Sequence, residues 1–281
     1  MKRLMVVAML FCCGFGTTAE AKGIVIKGST TVLPIAQAAL EAYTQAHPGV
    51  NFSLSGGGSG EGIKALIDGS ADIATSSREI KAEEIKLAAS RGVQPLAHTV
   101  AIDAIVPIVH PRNPVQNLTI DQLSQIYQGR ITNWKDVGGP NLAIVVISRD
   151  SSSGTFESWG HLVLHGARVT PRAQLQASNG AVVQAVAKNR YAIGYIGLGY
   201  VNSSVKPLSV NGIAASSASV LAGQYPVARP LYMYTNGQPA GDVKQFIDFI
   251  LSPAGQKLVA KEGFVPLPAK ELGAPRGTGK R

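Results

Sequence analysis

The sequence predicts an α/β fold, and three observations carry that reading. Short runs of β-branched and other apolar residues alternate with longer segments of helical period, in the succession strand, loop, helix. Hydrophobic residues make up 45 % of the 281 positions and charged residues only 15 %, which supplies a core and excludes disorder over the whole chain. With 31 glycines, tight turns and close backbone approaches should be frequent.

Taken in order, Ile24-Val25-Ile26 reads as a buried strand, and Val32 to Ala46 as a helix ended by His47-Pro48-Gly49. Val50 to Leu54 alternates as a strand does, Gly62 to Ile67 begins a second helix, Asp72 to Thr75 is a third strand and Lys81 to Ala89 a third helix. Ala101 to Val109 is a long apolar run, suited to a strand that passes between two lobes. Thr119 caps a helix whose apolar positions, Ile120, Leu123, Ile126 and Tyr127, share one face until Gly129 ends it. Ala143 to Ile147 and Ala192 to Leu198 are strands, and Phe156 to Leu164 is a helix. Val243, Phe246, Ile247, Ile250 and Leu251 mark a strongly amphipathic helix, and Pro253 opens the next.

The ends of the chain are of a different kind. Lys2 and Arg3, the apolar run Leu4–Phe15 and the Ala19-Glu20-Ala21 cleavage pattern describe a secretory leader over residues 1–21. Both cysteines, Cys12 and Cys13, fall inside it, so the mature chain is expected to be exported and free of cysteine. The residues Gly273 to Arg281 hold Gly, Pro and basic residues with little else, and 274–281 is expected to be a disordered tail.

The formal charge is +9, which favours anionic partners. The basic residues form no run and no aromatic-interleaved stripe, so nucleic acid is excluded as the expected partner. Three strand-to-helix junctions share one composition: Gly28-Ser29-Thr30-Thr31, Ser55-Gly56-Gly57-Gly58-Ser59-Gly60 and Arg149-Asp150-Ser151-Ser152-Ser153-Gly154-Thr155. Each sets hydroxyls and glycines before a helix N-terminus, whose free N–H groups and partial positive charge attract anions. Helix capping explains any one junction equally well. The three together, with Arg149 able to grip an oxyanion through two N–H groups, point to a tetrahedral oxyanion.

Other chemistries fit less well. The P-loop pattern fails after Gly62, where Ile63 stands, and the nucleophile elbow fails because Glu61 stands where its second glycine belongs. His161 and His165 lie four apart on the expected helix without an evident third ligand, so no metal site is assigned.

These motifs resemble phosphate-binding proteins of the PstS type, the periplasmic components of phosphate ABC transporters. The resemblance runs from about Gly23 to Leu267 and rests on G-S-T-T-V-L-P-I at 28–35, S-G-G-G-S-G at 55–60, A-D-I-A-T-S-S-R at 71–78 and S-R-D-S-S-S-G-T-F at 148–156. It rests further on L-T-I-D-Q-L-S-Q-I-Y-Q-G-R-I-T-N-W-K-D-V-G-G at 118–139, I-G-Y-I-G-L-G-Y at 193–200 and F-I-D-F-I-L-S-P-A-G-Q-K-L-V at 246–259. The resemblance implies a two-lobed periplasmic binding protein fold, each lobe a mixed sheet flanked by helices, with crossings near Ala101–Val106 and Arg229–Met233. One lobe would comprise 22–103 with 229–273 and the other 104–228.

Carried over by motif, the ligand residues are Thr30, Thr31 and the Val32 backbone, Ser59, and Arg149, Ser153, Gly154 and Thr155. Longer relatives place an Asp where this chain has Ser77, so Ser77 is assigned to the site as a hydroxyl able to accept the phosphate proton, with Asp103 as another candidate acceptor. Arg78, next to it, is a candidate for a structural ion pair. The resulting expectation is a monomeric, cofactor-free, non-catalytic periplasmic protein that hands inorganic phosphate to a membrane permease. Another oxyanion such as tungstate, molybdate or sulfate, a sensor role, and a secreted phosphatase are the alternatives.

Overall fold

The computed structural model describes residues 23–268. The expected leader, 1–21, and tail, 274–281, lie outside the described residues. In the first half of the chain, β1 (Ile24–Gly28), α1 (Leu33–Ala46), β2 (Phe52–Gly56), α2 (Ser59–Ile67), β3 (Ile73–Ser76) and α3 (Ala82–Ser90) lead to the long β4 (Pro95–Val109). Then come β5 (Asn117–Leu118), α4 (Ile120–Tyr127), β6 (Val145–Arg149), α5 (Gly154–Leu162), β7 (Gln174–Gln176), α6 (Asn179–Ala187) and β8 (Ala192–Gly197). The last elements are β9 (Lys206–Pro207), β10 (Ser209–Val210), α7 (Ser217–Leu221), β11 (Ala228–Asn236), α8 (Gly241–Leu251) and α9 (Pro253–Lys261).

Local chemistry sets many of these boundaries. Thr119 and Gln122 close a reciprocal capping box on α4, with bonds of 3.1 and 2.9 Å. Ser153, Ser178 and Ser252 each cap the helix that follows by accepting a backbone N–H. Helix α5 stops at Leu162, and His165 adopts a left-handed φ of 50°. His161 and His165 therefore do not share a helix face, and the four-residue spacing read in the sequence does not bring them together as metal ligands.

The strands form one mixed sheet in the order β2-β1-β3-β11-β4-β8-β6-β7, with β9 also on β4. Strands β2, β1 and β3 are parallel, as are β8, β6 and β7. Strand β4 joins the two sets: its first part, Pro95–Ala104, pairs with β11 and its last part, Ile105–Val109, with β8. The sheets expected of the two lobes are thus hydrogen-bonded into one through β4 and β11.

Two hydrophobic cores flank this seam. One gathers Ile26, Tyr43, Ile73, Met233, Phe246 and Val259; the other gathers Ile108, Tyr127, Trp134, Trp159, Tyr195 and Val227. Trp159 stacks on Tyr195 with ring centres 4.4 Å apart, while Tyr43 meets Phe246 edge-on at 5.6 Å. Along β4 the changeover lies between Ala101, in the first core, and Ala104, in the second. Arg229 faces Asp103 there, across the β4–β11 pair.

The Arg78 pairing is structural, as its neighbourhood in the sequence suggested. Both of its terminal nitrogens bond to Glu84 at 2.7 Å, and its Nε lies 3.0 Å from Glu157. Burial raises the Glu84 carboxyl, but the Arg78 and Lys81 N–H bonds outweigh that and hold it below its ordinary value of 4.5. A depressed folded-state value means that this stabilisation is present above pH 4.5 and is lost as pH falls through the lower folded value. Glu84→Gln should cost about 1–3 kcal/mol at pH 7. Its melting temperature should also fall less than the parent's between pH 6 and pH 3. Equal acid slopes in thermal melts of the two proteins would refute this assignment.

Candidate anion-binding site

In both parallel sets the carboxyl ends of the strands point to the same seam, the usual place for a ligand in α/β sheets. The loops that leave β1, β2 and β3 meet those that leave β6, β7 and β8. Seven of the nine residues assigned from sequence, Thr30, Thr31, Ser59, Ser77, Arg149, Gly154 and Thr155, come together there, all buried or lining its backbone. Val32 and Ser153 stand at the same helix N-termini in other capacities. The Val32 side chain packs in the first core, which leaves its N–H at the start of α1 as the group able to meet a ligand. The Ser153 hydroxyl accepts from Phe156 N at 3.2 Å as the cap of α5, so its proton remains to be donated.

The threonines meet across the seam. Thr31 Oγ1 lies 2.9 Å from Thr155 Oγ1. Arg149 Nη2 donates to Thr30 Oγ1 at 3.3 Å and to Ala177 O at 3.0 Å, while its Nε donates to Gln176 O at 3.0 Å. The loop after β7 thus fixes the guanidinium, and among the described residues no acceptor meets its Nη1. Burial lowers the Arg149 pKa, yet an arginine so shifted stays charged. Tyr200 donates its hydroxyl to Thr30 O; burial pushes that hydroxyl up to about 12, against the pull of Arg149, so it remains a donor near neutral pH.

The serines form the adjoining wall. Ser59 Oγ accepts from Ser77 N at 3.0 Å and lies 3.3 Å from Ser77 Oγ. A Cβ on Gly154 would come within 2.4 Å of Ser59 Oγ and 2.8 Å of Ser77 Oγ, so the first residue of α5 packs directly on this pair. Around them the lobes are tied by polar bonds: Gly60 N to Ser152 O at 3.0 Å, Ser152 Oγ to Gly57 O at 3.0 Å, and Ser158 Oγ to Ser77 O at 3.2 Å. Glu157 adds contacts of 3.0 Å to both Arg78 and Lys81.

Asp103 is engaged otherwise than as a proton acceptor for a ligand. Its Oδ2 takes Arg229 Nη2 at 3.0 Å and Nε at 3.3 Å, and its Oδ1 takes Leu198 N at 2.9 Å. Burial pushes the carboxyl up, against the pull of Arg229, and pushes the guanidinium down, though an arginine so shifted keeps its charge. Arg229 continues to the site, donating to Gly154 O at 3.2 Å and Thr155 Oγ1 at 2.8 Å.

A profile described as the PBP superfamily domain matches residues 15–254. The phosphate-binding protein PstS of Borreliella burgdorferi is 36 % identical over 256 residues, covering 87 % of this chain and 90 % of that one. The chain belongs to the PstS-type branch of the PBP superfamily. Among solved structures, a substrate-binding protein of Clostridium perfringens, assigned to a phosphate ABC transporter and holding phosphate, matches at 36 % identity and a TM-score of 0.82. That match covers 88 % of this chain and 100 % of that one. An ABC-type phosphate transport receptor of Vibrio cholerae matches at 35 % identity and a TM-score of 0.71, over 87 % and 100 % of the two chains. The two-lobed α/β fold read from the sequence is that of these PstS-type relatives.

Two site residues escape a reading by motif. Arg229 is visible in the sequence only as part of a crossing strand. Asn179 opens α6, is fully buried, and donates to Thr31 Oγ1 at 3.0 Å and Thr30 Oγ1 at 3.3 Å. The signal that could have found it is the sequence Ser178-Asn179-Gly180, a capped helix start of the same kind as the other junctions.

Gly154 supplies a direct test. Its φ is not in the left-handed region, so alanine is tolerated by the α5 backbone and is the better helix former. The added methyl would collide first with Ser59 and Ser77 of the opposite lobe. Gly154→Ala should keep the parental circular dichroism spectrum and cooperative melt while losing at least tenfold in anion affinity by calorimetry. Unchanged affinity would mean that Gly154 does not meet Ser59 and Ser77 in the bound state.

Proposed function

We propose that this chain is an extracytoplasmic solute-binding protein that captures inorganic phosphate between its lobes and delivers it to an ABC permease. The observation that carries the reading is the meeting of Thr30, Thr31, Ser59 and Ser77, at the carboxyl ends of three strands, with Arg149 and Thr155 at the end of a fourth from the other lobe. Short hydroxyls, helix N-termini and one fixed guanidinium supply the many donors that a small, highly charged tetrahedral anion requires. The names of the relatives, which bind phosphate, agree with that chemistry.

The lobes we assign are 22–103 with 229–273, and 104–228, hinged where β4 and β11 cross. An anion held by both lobes favours the closed arrangement by its differential affinity for it, and a permease that recognises the closed surface would then receive loaded protein. The mature protein acts after export, behind the leader at 1–21, as a monomer and without cofactor. Hydrolysis of a phosphate ester is the weaker reading, because the described site places no histidine in hydrogen-bond contact with its serines or threonines to activate a nucleophile. Ser77, where longer relatives have Asp, serves here as a hydroxyl that can accept the phosphate proton. It discriminates against sulfate less strongly than a carboxylate would.

Calorimetry of the mature protein with phosphate, arsenate, sulfate and tungstate should give the tightest binding to phosphate, with sulfate weaker at pH 7. Arg149→Ala should weaken phosphate at least tenfold with the fold intact, since a charge-assisted bond contributes about 1.5–3 kcal/mol. A preference for sulfate or tungstate would refute phosphate as the ligand, and parental affinity in the variant would refute the site.

A further inference from the structure

The hydroxyls at the seam could each present either a proton or a lone pair to a ligand, and what surrounds them decides which. Asn179 lies at the first position of α6, and its carboxamide is fixed at both ends. Gly197 N–H points at its oxygen at 3.1 Å, which assigns that atom as Oδ1. The two protons of Nδ2 then fall to Thr31 Oγ1 at 3.0 Å and Thr30 Oγ1 at 3.3 Å. On the other side of the pair, Arg229 Nη2 donates to Thr155 Oγ1 at 2.8 Å. Amide and guanidinium nitrogens can only donate here, so all three threonine oxygens are used as acceptors by their own surroundings.

A proton count follows. The Thr31–Thr155 contact at 2.9 Å uses one hydroxyl proton, given by either partner. The other partner's proton has to leave the pair. Thr30 Oγ1 accepts from both Asn179 and Arg149, so its proton is directed away from them as well. Three hydroxyls with one internal bond therefore offer two protons to whatever the cleft encloses.

We infer that Asn179 is a positioning residue of the anion site: its amide, locked by Gly197, fills acceptor positions on Thr30 and Thr31, so that the Thr30 hydroxyl and one hydroxyl of the Thr31–Thr155 pair are turned outward as donors to the anion. The inference rests on the anion-binding reading above. It adds that the donor character of the threonines is imposed by α6, an element of the second lobe, on the β1–α1 loop of the first. Asn179 and the two threonines meet only while the lobes are together, so the hydroxyls acquire their fixed direction on closure. Ser77 stands outside this arrangement, and no amide or guanidinium donates to its oxygen in the described structure. It is the hydroxyl free to accept.

The test is to change the amide while keeping its shape. In Asn179→Asp the carboxylate draws one or both threonine protons to itself, and only its protonated form restores a donor. The charged groups that face position 179 are Arg149 through Thr30, Arg229 through Thr155, and Asp103 behind Gly197. Phosphate affinity is measured by calorimetry for the parent, Asn179→Asp and Asn179→Ala at pH 8 and pH 5.5, each as a ratio to the parent at the same pH. That ratio cancels the ionisation of phosphate itself.

Asn179→Ala should lose about tenfold at both pH values, the equivalent of one charge-assisted hydrogen bond. Asn179→Asp should lose at least a hundredfold at pH 8 and recover at least tenfold of that at pH 5.5. Affinity of Asn179→Ala within threefold of the parent, or an equal loss for Asn179→Asp at both pH values, would overturn the inference. Should Asn179→Asp fail to fold, Asn179→Ala decides alone. A parent that binds no phosphate would instead refute the functional reading on which the inference rests.

Discussion

The ion pair between Asp103 and Arg229 is the constraint from which the rest of the site is built outward. The two residues face each other on β4 and β11, the paired strands at the centre of the sheet. Both are buried, so neither charge has water to fall back on, and the desolvation they suffer is large. Their mutual attraction is not the whole compensation. Asp103 also takes a backbone N–H from Leu198, and Arg229 also donates to Gly154 O and Thr155 Oγ1 on the opposite lobe. A full set of partners for Arg229 thus exists only when the N-terminus of α5 lies against the hinge. The hinge and the ligand loops are one hydrogen-bonded unit, which is why Arg229 belongs to the site although it sits on a connecting strand.

Around that unit the assigned lobes touch through hydroxyls, backbone amides and the Glu157 contacts to Arg78 and Lys81. Each such bond is exchanged for one to water when the cleft opens, so its net contribution is small, about 0.5–1.5 kcal/mol. On the proposed reading, a closed state held this way lies close in free energy to an open one. That is the condition under which an anion bridging both lobes can shift the balance, since its leverage equals its differential affinity for the two arrangements. Most apolar burial lies in two separate cores, with Phe246 and Tyr43 in one and Trp134 and Trp159 in the other.

The parts of this arrangement legible in the sequence were those written locally. Strand-to-helix junctions rich in Gly, Ser and Thr pointed to the candidate anion site because the residues proposed to hold the ligand are the ones that start the helices. Thr119, with Gln122 three residues on, marked the start of α4 for the same reason. What escaped was non-local or lacked a period. Helix α6 is apolar along much of its length, with Val182, Val183 and Val186 all buried, so it shows no stripe that would set it apart from a buried strand, and Asn179 at its start went unread. Helix α2 begins at Ser59 rather than at Gly62 because Gly60 N finds its partner in Ser152, a contact made across the cleft. Asp103 was read as a candidate acceptor of the phosphate proton, but it is engaged by Arg229, which lies 126 residues further along the chain.

The central claim is that an anion joins the two lobes through these polar contacts. The expected absence of cysteine from the mature chain allows spin labels to be placed at Lys86→Cys, exposed on α3 of one lobe, and Gln184→Cys, exposed on α6 of the other. Pulsed electron resonance then reads the distribution of distances between them. With saturating phosphate the distribution should collapse to a single narrow distance, that of the closed structure, while phosphate-free protein should be broader and displaced from it. A distribution unchanged by phosphate, in protein shown by calorimetry to have bound it, would contradict the account.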